Sequence, residues 1–314
     1  MSTTQPTILI ADEMHPSLFG MLDEAGFTYD YQPAIDRKTL LTAIAPFEGL
    51  LIRSKTRVDA AVFNAAPALR YIGRAGAGLD LIDIDEATTR QVRVFHAGEG
   101  NRDAVAEHVV GRLLALFINL LRADRQVRQG VWDREGNRGI ELMGKTVGLF
   151  GYGNNGRATA RRLSGFCCRV LTYDKYRSNY GDEYAQQASV EQIMAEADVL
   201  SLHVPLNDDT RNWINNDFVA RMARPFFLIN ASRGEVVSLD AVVAGLQSGK
   251  VRGACLDVLE NEKLKTLTPT QQAAFDYLRQ SDQVILTPHI AGWTHESYVR
   301  INEMLVRQLI RGKA

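Results

Sequence analysis

Thr146-Val-Gly-Leu-Phe-Gly151-Tyr-Gly153-Asn154-Asn155-Gly156 decides how the rest of the chain is read. A β-prone run meets three glycines spaced Gly-x-Gly-x-x-Gly, and the helix-prone stretch Arg157–Leu163 follows. Each glycine has its own physical task. The first permits a tight turn, the second lets backbone approach a pyrophosphate, and the third lets helix pack on strand. The helix N-terminus adds free N–H groups and the positive end of a dipole, which suits phosphate. Glycine-rich turns are common, so context carries the weight. A second β-prone run, Val170–Asp174, ends in an acid 18 residues beyond Gly156. That is close to the ~20 expected for a carboxylate that accepts hydrogen bonds from ribose hydroxyls. A carboxylate there repels a 2′-phosphate and favours NAD over NADP, while Lys175 and Arg177 pull the other way. S-adenosylmethionine enzymes use a related turn, but six β-rich runs between Thr146 and Leu286 fit the longer dinucleotide-binding architecture.

Outward from this motif the alternation continues. Thr7–Ala11, Gly49–Arg53, Tyr71–Arg74 and Val92–Phe95 are β-rich on the N-terminal side. Val199–His203, Phe226–Asn230, Gly253–Val258 and Val284–Leu286 follow on the other. Most lack in/out alternation, as expected for parallel strands covered on both faces. The chain therefore reads as α/β, with doubly wound parallel sheets and right-handed crossovers. At 314 residues it has the length of two domains. Asn101 to about Arg128 reads as one long helix, with Val105, Val109, Leu113, Leu116, Phe117, Leu120 and Leu121 at three- and four-residue steps.

Composition removes other classes. Thirty-six Lys and Arg against 37 Asp and Glu leave a net charge of −1, which excludes a general binder of nucleic acid or anionic membrane. Three cysteines, two of them adjacent, form no disulfide framework. The most apolar run, Val109–Leu121, is interrupted by Arg112 and Asn119 and is too short to span a bilayer. The first residues lack a signal peptide's basic and apolar regions, so a cytoplasmic location is expected. No metal-ligand spacing is apparent.

Ligands of open α/β sheets bind beyond the carboxyl ends of the strands. Arg233 follows the Phe226–Asn230 run, Glu262 follows Gly253–Val258, and His289 follows Val284–Leu286. A guanidinium holds a carboxylate in a planar fork and polarises the carbonyl beside it. An imidazolium gives a proton to oxygen as hydride reaches carbon, and a neutral imidazole takes it back in reverse. A neighbouring carboxylate orients that imidazole. Taken singly, an Arg after a strand is usually a surface ion pair, a lone His is more often structural, and Glu260 and Glu262 read equally as a solvated turn. Their joint placement behind a nucleotide motif favours chemistry.

The ordered motifs Arg74–Asp80, Asn101–His108, Gly151–Gly156 with Asp174, Asn230–Gly234, Asp257–Glu262 and Thr287–Gly292 resemble the D-isomer-specific 2-hydroxyacid dehydrogenase family over almost the whole chain. That family includes D-3-phosphoglycerate, glyoxylate/hydroxypyruvate, D-lactate and formate dehydrogenases. The resemblance implies a nucleotide domain, residues 100–289, inserted into a discontinuous flavodoxin-like substrate domain, residues 1–99 and 290–314, with the long helix joining them. It implies NAD as cofactor, a small 2-hydroxy or 2-oxo acid as substrate, and a homodimer built through the nucleotide domains. Arg233 is implied to bind the substrate carboxylate and carbonyl, and His289 to be the acid/base with Glu262 as its partner. Gly76, Ala77 and Gly78 are implied to offer N–H groups to the carboxylate. Gly151, Gly153, Asn154, Asn155 and Gly156 would hold the pyrophosphate, Asp174 the ribose and Val204 the adenosine. Ala231, Ser232, Arg233, Asp257 and His289 would line the nicotinamide side.

Departures from the family pattern matter too. Asn155 replaces an apolar residue, Lys263 replaces the Pro that commonly follows the Glu, and His96 stands in an unusual His-Ala-Gly-Glu-Gly-Asn run. Glu260 is the alternative partner for His289 if the alignment slips by two. His108, His203 and His295 read as structural. Arg53 and Ser54 fall where phosphoglycerate dehydrogenases carry an Arg-Ser-x-Thr run beside the substrate, though a basic surface loop fits equally. Trp293, after the His289 loop, reads as a pocket cap or as packing filler. The expected substrate is D-3-phosphoglycerate, with hydroxypyruvate or glyoxylate next. With the chain ending at Ala314, no inhibition by serine is expected. A reading of another class, an NAD-sensing corepressor, is disfavoured by the retention of Arg233, Glu262 and His289.

Overall fold

Residues 7–313 are described in the computed structural model, and they form two compact units. One comprises the chain up to Arg102 and from Trp293 onward; the other is Asp103–Gly292. Residues 1–6 and 314, assigned to the smaller unit from sequence, lie outside the described residues.

In the smaller unit five parallel strands stand in the order β2-β1-β3-β4-β5. They are β1 (Ile8–Ile10), β2 (Tyr29–Tyr31), β3 (Gly49–Ile52), β4 (Tyr71–Arg74) and β5 (Arg93–His96). This is the flavodoxin-like doubly wound order, with its switch point between β1 and β3. Alternate residues serve opposite cores. Leu9, Leu50, Ile52 and Ile72 pack on one face of the sheet, and Ile8, Ile10, Leu51 and Tyr71 on the other. Burial on both faces is why the strands read as continuous apolar runs. Strand β2 escaped the sequence reading because it is a three-residue edge with Asp30 at its centre.

The larger unit holds β6 (Thr146–Phe150), β7 (Arg169–Tyr173), β8 (Gln186–Gln187), β9 (Val199–Leu202), β10 (Phe226–Asn230), β11 (Val251–Leu256) and β12 (Val284–Leu286). Their order is β12-β11-β10-β9-β6-β7-β8, parallel throughout. Read from β8, this is the dinucleotide-binding order 3-2-1-4-5-6 with one strand added, and it reverses between β6 and β9. The polar connection Lys263–Gln283 supplies its own helix, Pro269–Gln280. Thr268 and Gln271 form a reciprocal capping box and Pro269 opens the first turn.

The long helix expected from Asn101 to Arg128 is two helices, Arg102–Phe117 and Leu120–Arg128, bent by 60°. Asn119 takes a left-handed backbone, φ +54°, a conformation asparagine tolerates better than most residues. The Phe117 carbonyl, released from the helix, accepts the N–H of Ile140 at 3.0 Å, and Asn119 Nδ2 reaches the carbonyl of Arg138 at 3.3 Å. As a result Leu120 and Leu121, expected on the buried face, are about half exposed. Among the described residues no single helix is long and apolar enough to cross a membrane.

Candidate active site

The glycine-rich turn lies at the β6/β9 reversal. Gly151 has φ +94°, and a Cβ there would stand 2.5 Å from the carbonyl oxygen of His203 on the loop after β9. A Cβ on Gly156 would stand 2.1 Å from the Gly151 carbonyl oxygen. Glycine is therefore required at both, one for conformation and one for the approach of helix to turn. The helix Asn154–Leu163 begins at Gly153 with no side-chain cap, leaving first-turn N–H groups available. Nothing lies within 4 Å of where a Gly153 Cβ would be. An uncapped helix start with open space at the middle glycine is what a pyrophosphate requires. Asn154 is exposed, and Asn155 Oδ1 is buried with no hydrogen-bond partner among the described residues.

Asp174 is half-buried and already employed. Its Oδ2 accepts Tyr152 N–H at 2.8 Å and its Oδ1 accepts Tyr176 N–H at 3.0 Å, so it braces the turn while retaining lone pairs for hydroxyl donors. Lys175 is paired with Asp209 at 2.5 Å. Tyr152, between the first two glycines, is buried and donates to Asp182 at 2.6 Å, an anchor not anticipated from sequence. Val204 packs at the rim of the core beyond β9. Beside it, burial lowers the pKa of His203 to about 4, so this imidazole is neutral at physiological pH. Its Nε2 lies 3.0 Å from Ser201 Oγ.

Arg233, Glu262 and His289 leave the carboxyl ends of three adjacent strands, β10, β11 and β12. Glu262 and His289 meet: the carboxylate lies 2.9–3.0 Å from His289 Nδ1, with both side chains about half exposed. This leaves Nε2 as the nitrogen for a proton donor or acceptor toward a ligand. Glu260 is not the partner. It is half-buried and accepts Leu239 N–H at 2.7 Å, which ties the β11 loop to the helix Leu239–Ser248. Arg233 is half-buried, and its Nη1 donates to the Ser232 carbonyl at 2.8 Å. Its loop is set by Asn230, whose Oδ1 accepts Ser232 N–H and hydroxyl and whose Nδ2 donates to the Arg233 carbonyl. Ala231 is half-buried beside buried Ser232.

His289 is held at φ +56°, a backbone conformation that costs about 1–2 kcal/mol for a residue with a side chain. Asp257 enforces it. The Asp257 carbonyl accepts His289 N–H at 2.7 Å. Its carboxylate accepts the Thr287 hydroxyl at 2.5 Å, Ile290 N–H at 3.0 Å and Ala291 N–H at 2.8 Å. Burial alone would raise the Asp257 pKa, but hydrogen bonds from His108, Thr287, Ala291 and Ile290 outweigh it and hold the carboxyl well below its usual range. Asp257, expected along the nicotinamide side, stands just after β11, 1% exposed, with its carboxylate turned to the His289 loop.

The remaining expected residues are in the smaller unit. Asp12, after β1, is buried and accepts the N–H groups of Arg53, Lys55 and Thr56 and the Thr56 hydroxyl, shaping the turn after β3. Arg53 lies 4.3 Å over the Trp293 ring and 5.0 Å from that of Tyr298, and its Nη1 donates to the Glu13 carbonyl at 3.2 Å. Trp293 therefore packs on a cation of its own unit. Ser54 is exposed, and Ala77 and Gly78 are half-buried in the turn after β4. Among the described residues no cluster of three or more His, Cys, Asp or Glu could hold a metal ion.

Residues 110–291 match the NAD binding domain of the D-isomer specific 2-hydroxyacid dehydrogenases. The chain belongs to this family. It is 38% identical to a glyoxylate reductase of Thermofilum pendens over 288 residues, 90% of this chain and 82% of that one. It is 33% identical to a D-3-phosphoglycerate dehydrogenase of Archaeoglobus fulgidus over 308 residues, 96% of this chain but 56% of the relative. The chain thus spans little more than half the length of that curated relative. Among solved structures, D-lactate dehydrogenase from Aquifex aeolicus, complexed with NAD and lactic acid, superposes with a TM-score of 0.84 at 26% identity, covering 96% of this chain and 93% of that one. The NAD binding domain matched over residues 110–291 makes NAD the cofactor of this chain, and the turn, the uncapped helix start and Asp174 fit that cofactor.

Proposed function

We propose that this protein is an NAD-dependent oxidoreductase that interconverts a D-2-hydroxy acid and its 2-oxo acid. The observation that carries this reading is the His289–Glu262 pair, oriented and solvent-accessible, in the same unit as the glycine-rich turn. NAD, when bound, supplies or accepts the hydride. In the reducing direction His289 Nε2 gives its proton to the carbonyl oxygen, and in the oxidising direction it takes the hydroxyl proton. Glu262 fixes the imidazole through Nδ1. Arg233 holds the substrate carboxylate and polarises the adjacent carbonyl.

D-3-phosphoglycerate is the substrate we infer first, supported by a cation, Arg53, at the switch point of the smaller sheet and by relatives named for that activity. Glyoxylate or hydroxypyruvate is the second reading, favoured by the coverage of the Arg53 guanidinium by Trp293 and Tyr298 and by the glyoxylate reductase relative. Initial rates of NADH oxidation with 3-phosphohydroxypyruvate, hydroxypyruvate, glyoxylate and pyruvate at equal concentrations decide between them. Preference for the phosphorylated acid supports the first, and preference for the others supports the second. Binding of NADH without turnover of any 2-oxo acid refutes both and favours a sensor.

A homodimer is also proposed. Ile118, Leu120, Leu121, Val127, Val131, Trp132 and Met143 of the larger unit are all exposed, Trp132 by 85%. Apolar exposure gathered in one short stretch of chain suits a second copy. A monomer in light scattering at micromolar concentration refutes it.

A further inference from the structure

The Arg102–Phe117 helix carries His108 and Arg112 one turn apart; His108 reaches Thr287 at the base of the loop that bears His289, and Arg112 reaches β12 just before that loop. Arg112 is 7% exposed on a helix face otherwise built from Val105, Val109, Leu113 and Leu116. Its Nη2 donates to the Ile285 carbonyl at 3.1 Å, and its Nη1 stands 3.2 Å from His108 Nε2 and 3.8 Å from Asp257 Oδ1. Its Nε is buried with no partner among the described residues. His108 Nε2 lies 3.3 Å from the Thr287 hydroxyl and 3.4 Å from Asp257 Oδ1. The other titratable groups near this pair are Cys255 of β11, pushed up to about 11 by burial and so uncharged at neutral pH, and the His289–Glu262 pair outside the loop.

Stability does not account for this arrangement. A buried ion pair is seldom better than apolar side chains of the same volume. An ionised carboxylate does what no apolar group can: it accepts three donors from one short loop, two of them the consecutive amides that follow a left-handed residue. That carboxylate has to be buried to reach them, and the Arg112 guanidinium is the positive charge the structure places beside it, 3.8 Å from Oδ1.

We propose that Arg112, with His108 beside it, is a positioning group for His289: it supplies the buried positive charge for Asp257, and Asp257 shapes the loop that presents the imidazole. This rests on the reading of His289 as the acid–base group.

The experiment compares the wild type with Arg112→Met and Arg112→Lys. It measures kcat and KM for the best 2-oxo acid from pH 5 to 9, NADH affinity by fluorescence, and hydrogen exchange at the Ile290 and Ala291 amides. In Arg112→Met, kcat falls by roughly 10- to 100-fold, the size of loss known when the outer partner of a metal-ligating side chain is removed. NADH affinity changes by less than about threefold, the two amides exchange faster, and Lys restores most of the loss. An unchanged kcat, or a loss that Lys does not restore, overturns the proposal. Should Arg112→Met fail to fold, Arg112→Gln, which keeps hydrogen-bond donors but removes the charge, takes its place. Faster exchange at both amides with lower kcat then supports the proposal, and unchanged exchange refutes it. A wild type inactive on every 2-oxo acid refutes the functional reading alone, since the exchange data still decide whether Arg112 shapes the loop.

Discussion

Gly153→Ala and Gly156→Ala introduce the same methyl three residues apart and call for opposite readouts. At Gly156 the new Cβ would lie 2.1 Å from a backbone oxygen, and neither the turn nor the helix start has a flexible side chain to yield. About 1 Å must be opened, an overpacking that costs roughly 1–3 kcal/mol. At roughly 2–4 °C per kcal/mol for a unit of this size, Tm falls by about 2–12 °C without any ligand. At Gly153 the backbone is extended, φ −79° and ψ −153°, and the methyl meets nothing within 4 Å. Alanine is a poorer N-cap by up to about 1 kcal/mol, and the stiffer unfolded chain returns about 0.4–1 kcal/mol, so Tm of the free protein stays within about 2 °C. That space is the one a pyrophosphate must enter, so NADH affinity falls at least about tenfold, or 1.4 kcal/mol. Thermal unfolding with and without NADH, together with NADH fluorescence titration, separates the two. A Gly153→Ala variant that binds NADH as the wild type does refutes placement of the pyrophosphate at this turn. A Gly156→Ala variant as stable as the wild type refutes the packing argument.

His289→Asn keeps a side chain that tolerates φ > 0 but removes the proton donor, so turnover falls by about 10²- to 10⁴-fold with NADH affinity nearly intact; wild-type turnover means another acid. His203 titrates near pH 6.5 when unfolded and near 4 when folded, so its contribution to stability is complete above pH 6.5. As pH falls toward 4 up to about 3 kcal/mol is lost, and His203→Gln should flatten the slope of Tm against pH in that window; an unchanged slope disproves the assignment. Asp174→Ser removes the carboxylate that opposes a 2′-phosphate, and with Lys175 held by Asp209 the gain comes from relief of repulsion and from the exposed Arg177. The NADH-to-NADPH preference in binding then falls by about tenfold or more, and an unaltered preference means Asp174 does not meet the ribose.

Local chemistry was legible in the sequence wherever one residue type answers one physical demand. Gly151 and Gly156 were readable because backbone conformation and close approach each demand glycine. The strand-end positions of Arg233, Glu262 and His289 were readable because parallel sheets deliver their loops to one edge. What stayed hidden depends on tertiary partners. The break at Asn119 is fixed by Ile140 and Arg138, some twenty residues on, which take over the freed carbonyl and the Asn119 amide. Arg112 looked like an interruption of an apolar run. The usable signal was its i, i+4 spacing from His108 on a face that is otherwise aliphatic, which marks a buried polar pair in search of a counter-charge. Asp12 left no mark at all, because its work is to hold a turn 41 to 44 residues away.

The two acids of Asp257-Val-Leu-Glu-Asn-Glu262 that reach the His289 loop divide its requirements between them. An imidazole that must exchange protons with a substrate needs solvent access and a fixed ring, and Glu262 provides the second without taking away the first. The backbone beneath it needs the reverse, a charge shielded from water so that its hydrogen bonds are not exchanged for solvent, and Asp257 provides that. Neither acid can serve in the other's place. Glu262, half exposed, would hold the amides weakly, and Asp257, 1% exposed, has no route to Nδ1. Exchanging either for its amide therefore has separable consequences: Glu262→Gln acts on the ring and leaves Tm nearly unchanged, whereas Asp257→Asn acts on the backbone and costs about 3–5 kcal/mol by leaving Arg112 buried without an anion.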